Sequence, residues 1–164
     1  MSPYKKFMVV PVIEAAMFGR SSSAVRPPVV LVVDDERIIA DTLTAILKRS
    51  GYSVLTAYDG QSALGLASEI PPDLLITDVV MPGMSGIDLA IQLERAIPDC
   101  MVLLFSGQAA TVDLLADARK LGHDFVTLSK PVHPTELLAR ISECLESRPP
   151  ATVVPSRSAM PNAS

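Results

Sequence analysis

Leu74-Leu75-Ile76-Thr77-Asp78-Val79-Val80-Met81-Pro82-Gly83-Met84-Ser85-Gly86 runs from an apolar stretch into a carboxylate, and then Pro82, Gly83 and Gly86 break the chain. A buried strand that carries one Asp to its carboxyl end and then turns is a way to build a reactive site. The rest of the chain can be read by what it brings to Asp78.

Upstream, Val29-Val30-Leu31-Val32-Val33 is apolar at every position and ends on Asp34-Asp35-Glu36. Continuous β-branched and Leu residues, without alternation, predict a strand buried on both faces, as in a parallel sheet. Ile39, Leu43, Ile46 and Leu47 then fall on one helical face, predicting a helix from about Glu36 to Ser50, with Gly51 as its stop. Ser53–Ala57 reads as a second strand, and Asp59-Gly60 turns into a helix with Ala63, Leu64 and Ala67 inward, ended by Pro71-Pro72. Asp73–Thr77 is the third strand.

Downstream, Ser85 is a candidate N-cap for a helix burying Ala90, Leu93 and Ile97. Met101–Phe105 reads as a strand ending at Ser106-Gly107, and the helix after it buries Val112, Leu115 and Ala116 and stops at Gly122. Phe125–Leu128 is a shorter strand ending at Ser129-Lys130-Pro131, followed by a helix from Pro134 with Leu137, Ile141, Cys144 and Leu145 inward. Strand and helix thus alternate five times on short loops. Right-handed crossovers make that an α/β fold, a doubly wound five-stranded parallel sheet with helices on both faces. Three segments follow: 1–28 as a poorly ordered extension, 29–147 as the domain, and 148–164 as a disordered Pro- and Ser-rich tail.

Composition narrows the function. The net charge of -4, with no Lys/Arg cluster, argues against a nucleic-acid partner. No apolar run approaches the ~18 residues of a membrane span. Lys5 and Lys6 precede an apolar segment from Phe7 to Ile13, but Pro11 and Glu14 break it, against a secretory signal. Cys100 and Cys144 lack metal-like neighbours in sequence and read as reduced thiols, so a cytoplasmic location is expected.

In a doubly wound sheet the site lies outside the carboxyl ends of the strands. Those ends deliver Asp34 and Asp35, Asp78, Ser106 and Lys130. Alone, Asp-Asp-Glu is a helix start with favourable dipole charges, Lys130 a surface lysine, and Ser106 a turn residue. Together, converging carboxylates repel one another and call for a cation. An oxygen-only donor set suits Mg²⁺. Asp78 beside a metal, a Lys and a hydroxyl can accept a phosphoryl group, with the carboxylate attacking and the cations neutralising the transferring oxygens.

Val33-Asp34-Asp35-Glu36, Asp78, Met81-Pro82-Gly83-Met84-Ser85-Gly86, Ser106-Gly107 and Lys130-Pro131, in that order, resemble the receiver domain of two-component response regulators over about Pro28 to Ser147. The resemblance implies the flavodoxin-like strand order 2-1-3-4-5, an order that accompanies this fold in general. It implies Asp78 as phosphoacceptor, converted to 4-aspartylphosphate, with Asp35 on Mg²⁺ directly, Asp34 largely through water, and the Val80 backbone carbonyl completing the protein ligands. Ser106 would be the hydroxyl that moves toward the phosphoryl group, Lys130 the partner of Asp78, and Lys130-Pro131 a cis bond. The donor would be a histidine kinase or a phosphotransfer protein. The chain would be no enzyme beyond promoting its own phosphorylation and dephosphorylation.

Two departures stand out. The family's switch aromatic would fall at Thr127, with Phe125 two residues earlier; either Phe125 swings from a shifted position or that switch is missing. Val80 and Gln108 occupy positions that influence dephosphorylation. His123 and His133 read as loop residues rather than phosphohistidines. A phosphorylation-independent pseudo-receiver is the alternative, kept by Thr127. An aspartyl-nucleophile phosphatase of the haloacid-dehalogenase type would need Asp-x-Asp-x-Thr on the first strand, where this chain has Asp-Asp-Glu-Arg. With 17 residues after the last helix, a receiver alone is expected, signalling by onward relay or through an unidentified downstream protein. It would be a monomer or a phosphorylation-dependent dimer.

Overall fold

The computed structural model describes residues 26–107, 109 and 111–148. The expected extension up to residue 25, the tail from residue 149 and Gln108 lie outside the described residues.

The elements, in chain order, are β1 (Val29–Val33), α1 (Arg37–Arg49), β2 (Ser53–Ala57), α2 (Gly60–Glu69), β3 (Leu74–Asp78), α3 (Gly86–Ala96), β4 (Met101–Ser106), α4 (Thr111–Lys120), β5 (Val126–Ser129) and α5 (Pro134–Glu146). The five strands form one sheet in the order β2-β1-β3-β4-β5. Every pairing is parallel, and Val32 lies level with Thr56 and Ile76. The expected fold class is therefore present.

The unbroken apolar runs have the predicted consequence. Leu31, Val33, Leu75 and Leu104 face a layer that includes α2 and α3, while Val30, Val32, Ile76, Leu103 and Phe105 face the layer of α1 and α5. Both faces are dry, and each such side chain contributes roughly 1.5–3 kcal/mol relative to an exposed one. β2 and β5 at the edges are partly exposed, which is why their runs are shorter and more polar.

One helix is turned from its expected phase. Val112 is 64% exposed, whereas Thr111 and Ala118 are buried and Leu115 packs against the core. Spacing of i, i+4 and i+7 defines that face, and a threonine at its first position disguised it as polar. β5 also starts one residue later than expected, because Phe125 is buried beneath α3 and α4 before the ladder begins at Val126.

At the amino ends of the strands, Asp73 is buried and accepts the Val29 N–H at 2.7 Å. Arg26 grips it with its two terminal guanidinium nitrogens at 2.9 and 3.1 Å, and Arg148 donates to the same carboxylate. Burial alone would push its pKa up; the Val29 N–H and the two guanidinium groups outweigh this and hold it below the usual carboxylate value. A depressed folded pKa stabilises the fold above the unfolded value of ~3.9, and that contribution is lost as pH falls through the folded value. Asp73→Asn is accordingly expected to cost on the order of 1–3 kcal/mol at neutral pH. It should also flatten the acid limb of stability below about pH 4 in urea titrations. An unchanged acid limb would remove Asp73 from that role.

Cys100 and Cys144 are free and buried. Burial pushes the Cys100 thiol up to about 12 and that of Cys144 upward as well, which leaves both unreactive. Among the described residues, no helix is long and apolar enough to cross a membrane.

Candidate functional site: an acidic cluster at the carboxyl ends of the strands

The parallel sheet brings the ends of β1, β3, β4 and β5 to one edge. Asp34 follows β1, and its N–H continues the ladder by donating to Ala57 O at 3.3 Å. Its Oδ1 accepts the Glu36 N–H at 2.9 Å, closing an Asx-type turn that sends Asp35 outward. Glu36 is the N-cap of α1 and makes no side-chain capping bond.

Asp78 ends β3, and the loop after it is tightly folded. Val79 N–H donates to Phe105 O at 3.0 Å, and Gly86 N–H returns to Val79 O at 2.9 Å. Gly83 takes a φ of +76°, in the left-handed region that glycine tolerates. Ser85 caps α3 as expected, its Oγ accepting the Asp88 N–H at 3.1 Å.

Lys130 leaves β5 through a cis Lys130-Pro131 bond, as the resemblance implies. Its backbone N–H donates to Ser106 O at 3.0 Å. Its Nζ donates to Asp78 Oδ2 at 3.1 Å and to Asp34 Oδ2 at 3.3 Å. Burial by itself would lower the Lys130 pKa; the hydrogen bond to Asp78 and the charges of Asp34 and Asp78 raise it instead, so the ammonium stays charged.

Asp34, Asp35 and Asp78 each place one carboxylate oxygen within 4.8 Å of the others. Burial pushes the Asp34 carboxyl above its ordinary value against the pull of the Glu36 N–H and Lys130, and the Asp78 charge adds to the push. Three carboxylates thus meet one ammonium group, a deficit of positive charge that a hard divalent cation would fill. The donor chemistry fits such an ion. An open cavity of about 330 Å³, lined by Asp35, Glu36, Asp78, Val80, Gly107, Thr111 and Lys130, gives room for it and for a small anion.

Of the residues expected at the site, Asp34, Asp35, Asp78, Val80 and Lys130 come together. Ser106 ends β4 beside them, but its hydroxyl is hydrogen-bonded to that of Thr111, and Thr111 rather than Ser106 lines the cavity. Sequence reading missed Thr111, whose signal was a hydroxyl residue at a helix start five positions past Ser106. It also missed the pairing of His123 Nδ1 with Glu94 Oε2 at 2.7 Å, which ties the segment before β5 to α3. Phe125 stacks on that His123 ring, with centroids 5.8 Å apart, and is 7% exposed. Thr127, level with Leu104, holds the position expected of an aromatic. His133 is the N-cap of α5.

Comparison with known proteins places these features. The family model for the response regulator receiver domain matches residues 30–142. The chain is 36% identical over 128 residues to "Probable transcriptional regulatory protein TcrX" of Mycobacterium tuberculosis, covering 78% of this chain and 54% of that protein. It is 36% identical over 112 residues to "DNA-binding response regulator MtrA" of Mycolicibacterium smegmatis, covering 68% of this chain and 48% of that protein. The crystal structure of a response regulator receiver domain protein from Clostridium thermocellum superposes with a TM-score of 0.66 at 30% identity, covering 73% of this chain and 94% of that one.

One expectation is corrected by these relatives. Acidic charge argued against any nucleic-acid partner, yet the similar proteins include one named as DNA-binding, and the chain spans about half the length of those relatives. Net charge describes only the residues that carry it, and in proteins twice as long it says nothing of the other half. The match in sequence, the strand order and the arrangement around Asp78 agree, and the chain belongs to the family of response regulator receiver domains.

Proposed function

We propose that the chain is a phosphoryl-accepting switch in two-component signalling, with Asp78 as acceptor and a histidine kinase or phosphotransfer protein as donor. The observation that carries this reading is the Lys130 ammonium bridging Asp34 and Asp78 at the mouth of an open acidic cavity. Asp78 Oδ attacks the phosphorus of a phosphohistidine. The P–N bond breaks as the P–O bond forms, and the leaving imidazole keeps the electron pair and takes up a proton. Lys130 is placed to neutralise the oxygens of the transferring group, and the preformed cluster supplies positioning and charge, which is most of what this reaction needs.

Asp34, Asp35, Asp78 and the Val80 carbonyl would hold Mg²⁺, and when bound the ion supplies positive charge to the phosphoryl oxygens. The chain acts on no substrate but its own Asp78, and its place is the cytoplasm. The surface of α4, β5 and α5 carries the output, shifted by a coupling of ~1–3 kcal/mol. By likeness to the relatives named as transcriptional and DNA-binding regulators, the process it feeds is transcriptional control. A phosphorylation-independent interaction module draws its support from Thr127, which offers no ring at the switch position.

Incubation with acetyl phosphate and Mg²⁺, followed by intact mass and peptide mapping, tests the reading. One phosphoryl group on the Asp78 peptide is expected, with incorporation at least about a hundredfold slower after chelation of Mg²⁺. No incorporation into folded protein, or incorporation indifferent to chelation, overturns it.

A further inference from the structure

We propose that Thr111 is a positioning residue that latches the Ser106 hydroxyl away from Asp78, so that phosphoryl transfer must exchange the Ser106–Thr111 hydrogen bond for one from Ser106 to the phosphoryl group. The inference rests on the phosphoacceptor reading of Asp78.

Ser106 is the last residue of β4, held in register by pairing with Ser129 and by the Lys130 N–H on its carbonyl. Its backbone is therefore fixed, and what can change is the direction of its hydroxyl. That hydroxyl is engaged in a short hydrogen bond with Thr111 Oγ1. Thr111 is 1% exposed and opens α4, the helix whose buried face runs through Thr111, Leu115 and Ala118. Gly107 lies beside the Lys130 stem, its would-be Cβ 3.5 Å from Lys130 Cδ, and Gly107 and Thr111 border the same cavity as Asp78.

A Ser hydroxyl has one proton to give. Whichever of the two hydroxyls donates, the bond holds Ser106 Oγ toward Thr111, and turning it to give its proton to a phosphoryl oxygen at Asp78 gives that bond up. The two states compete for one hydroxyl, and the exchange alters what holds the first turn of α4. An anion at Asp78 can shift α4 only through such a difference in contacts between the two states. Here the difference has a named bond. The coupling also needs no ring at Thr127, since Thr111 reaches Ser106 from the helix side.

The test uses Thr111→Val, which keeps shape and removes the hydroxyl, and Thr111→Ser, which keeps it, each in the full chain with and without Ser106→Ala. Phosphorylation by acetyl phosphate with Mg²⁺ is followed by intact mass, and α4 by hydrogen exchange. With the latch removed, Thr111→Val gains phosphoryl group on the order of threefold to tenfold faster, the value of one net hydrogen bond. Thr111→Ser stays at the wild-type rate, the Thr111→Val gain vanishes in the Ser106→Ala background, and α4 no longer changes its exchange on phosphorylation. A slower Thr111→Val overturns the proposal, since Thr111 would then be aiding Ser106 or acting on the phosphoryl group itself. A gain that survives Ser106→Ala overturns it equally. If no variant nor the wild type is phosphorylated, the reading of Asp78 fails first, and the two failures are told apart.

Discussion

Asp78→Asn takes up no phosphoryl group from acetyl phosphate under conditions in which the wild type takes up one, and it remains folded. The amide has the size of the carboxylate but no anionic oxygen to attack phosphorus, so the loss is complete rather than partial. Folding survives for a geometric reason. Lys130 Nζ keeps Asp34 as a partner at 3.3 Å, and the amide oxygen can still accept from it. Charge favours the variant as well. Three clustered carboxylates become two, and the Asp78 charge that helps raise the Asp34 pKa is gone. Stability equal to or above that of the wild type is expected, measured by urea titration beside the mass spectrum. Equal labelling of wild type and variant would place the phosphoryl group elsewhere.

Gly86→Ala is expected to destabilise the domain strongly although it puts a better helix former into α3. A Cβ at Gly86 would sit 1.8 Å from the Asp78 carbonyl oxygen, 2.8 Å from its carbonyl carbon and 3.1 Å from Thr77 Oγ1. Two of these atoms are backbone of β3 and cannot rotate aside. Overpacking a core costs ~1–3 kcal/mol where side chains can yield, and here the strand or the helix start must move, so at least the upper end of that range is expected. Helix propensity works in the opposite direction by less than about 1 kcal/mol, and the clash wins. A Tm lower by roughly 10 °C or more should follow. Because Asp78 is the residue struck, phosphorylation should slow in whatever protein remains folded. Gly65→Ala, in α2 with nothing within 4 Å of the added carbon, is the control and should be neutral or stabilising. Similar losses at both positions would remove the clash as the cause.

What could be read from the chain follows the range over which each signal acts. The sheet was legible because burial on both faces writes itself into consecutive residues, as in Val29–Val33. The cluster was legible because strand ends are local features, and a doubly wound topology forces them to one edge. Features that depend on partners far apart in sequence were not. Nothing near Asp73 announces that Arg26 and Arg148 converge on it across separations of 47 and 75 residues. The phase of α4 was misjudged because Val112 looks like core and Thr111 like surface, while the packing reverses them. The departure at Thr127 was visible as a missing ring. Only the fold showed that Phe125 is occupied elsewhere, stacked on a histidine that is bonded to α3.

The grip of Asp73 on both Arg26 and Arg148 has a consequence for architecture. The polypeptide enters and leaves the domain at one carboxylate, at the foot of β3, while Asp78 stands at its head. A five-residue strand sets those points roughly 17 Å apart. The domain is thus built like a plug with both leads at its base, and sequence can be spliced on at either lead without crossing the working end. Such a layout makes a portable cassette, one that evolution or an engineer can join to unrelated neighbours while the pocket at the far end stays as it is.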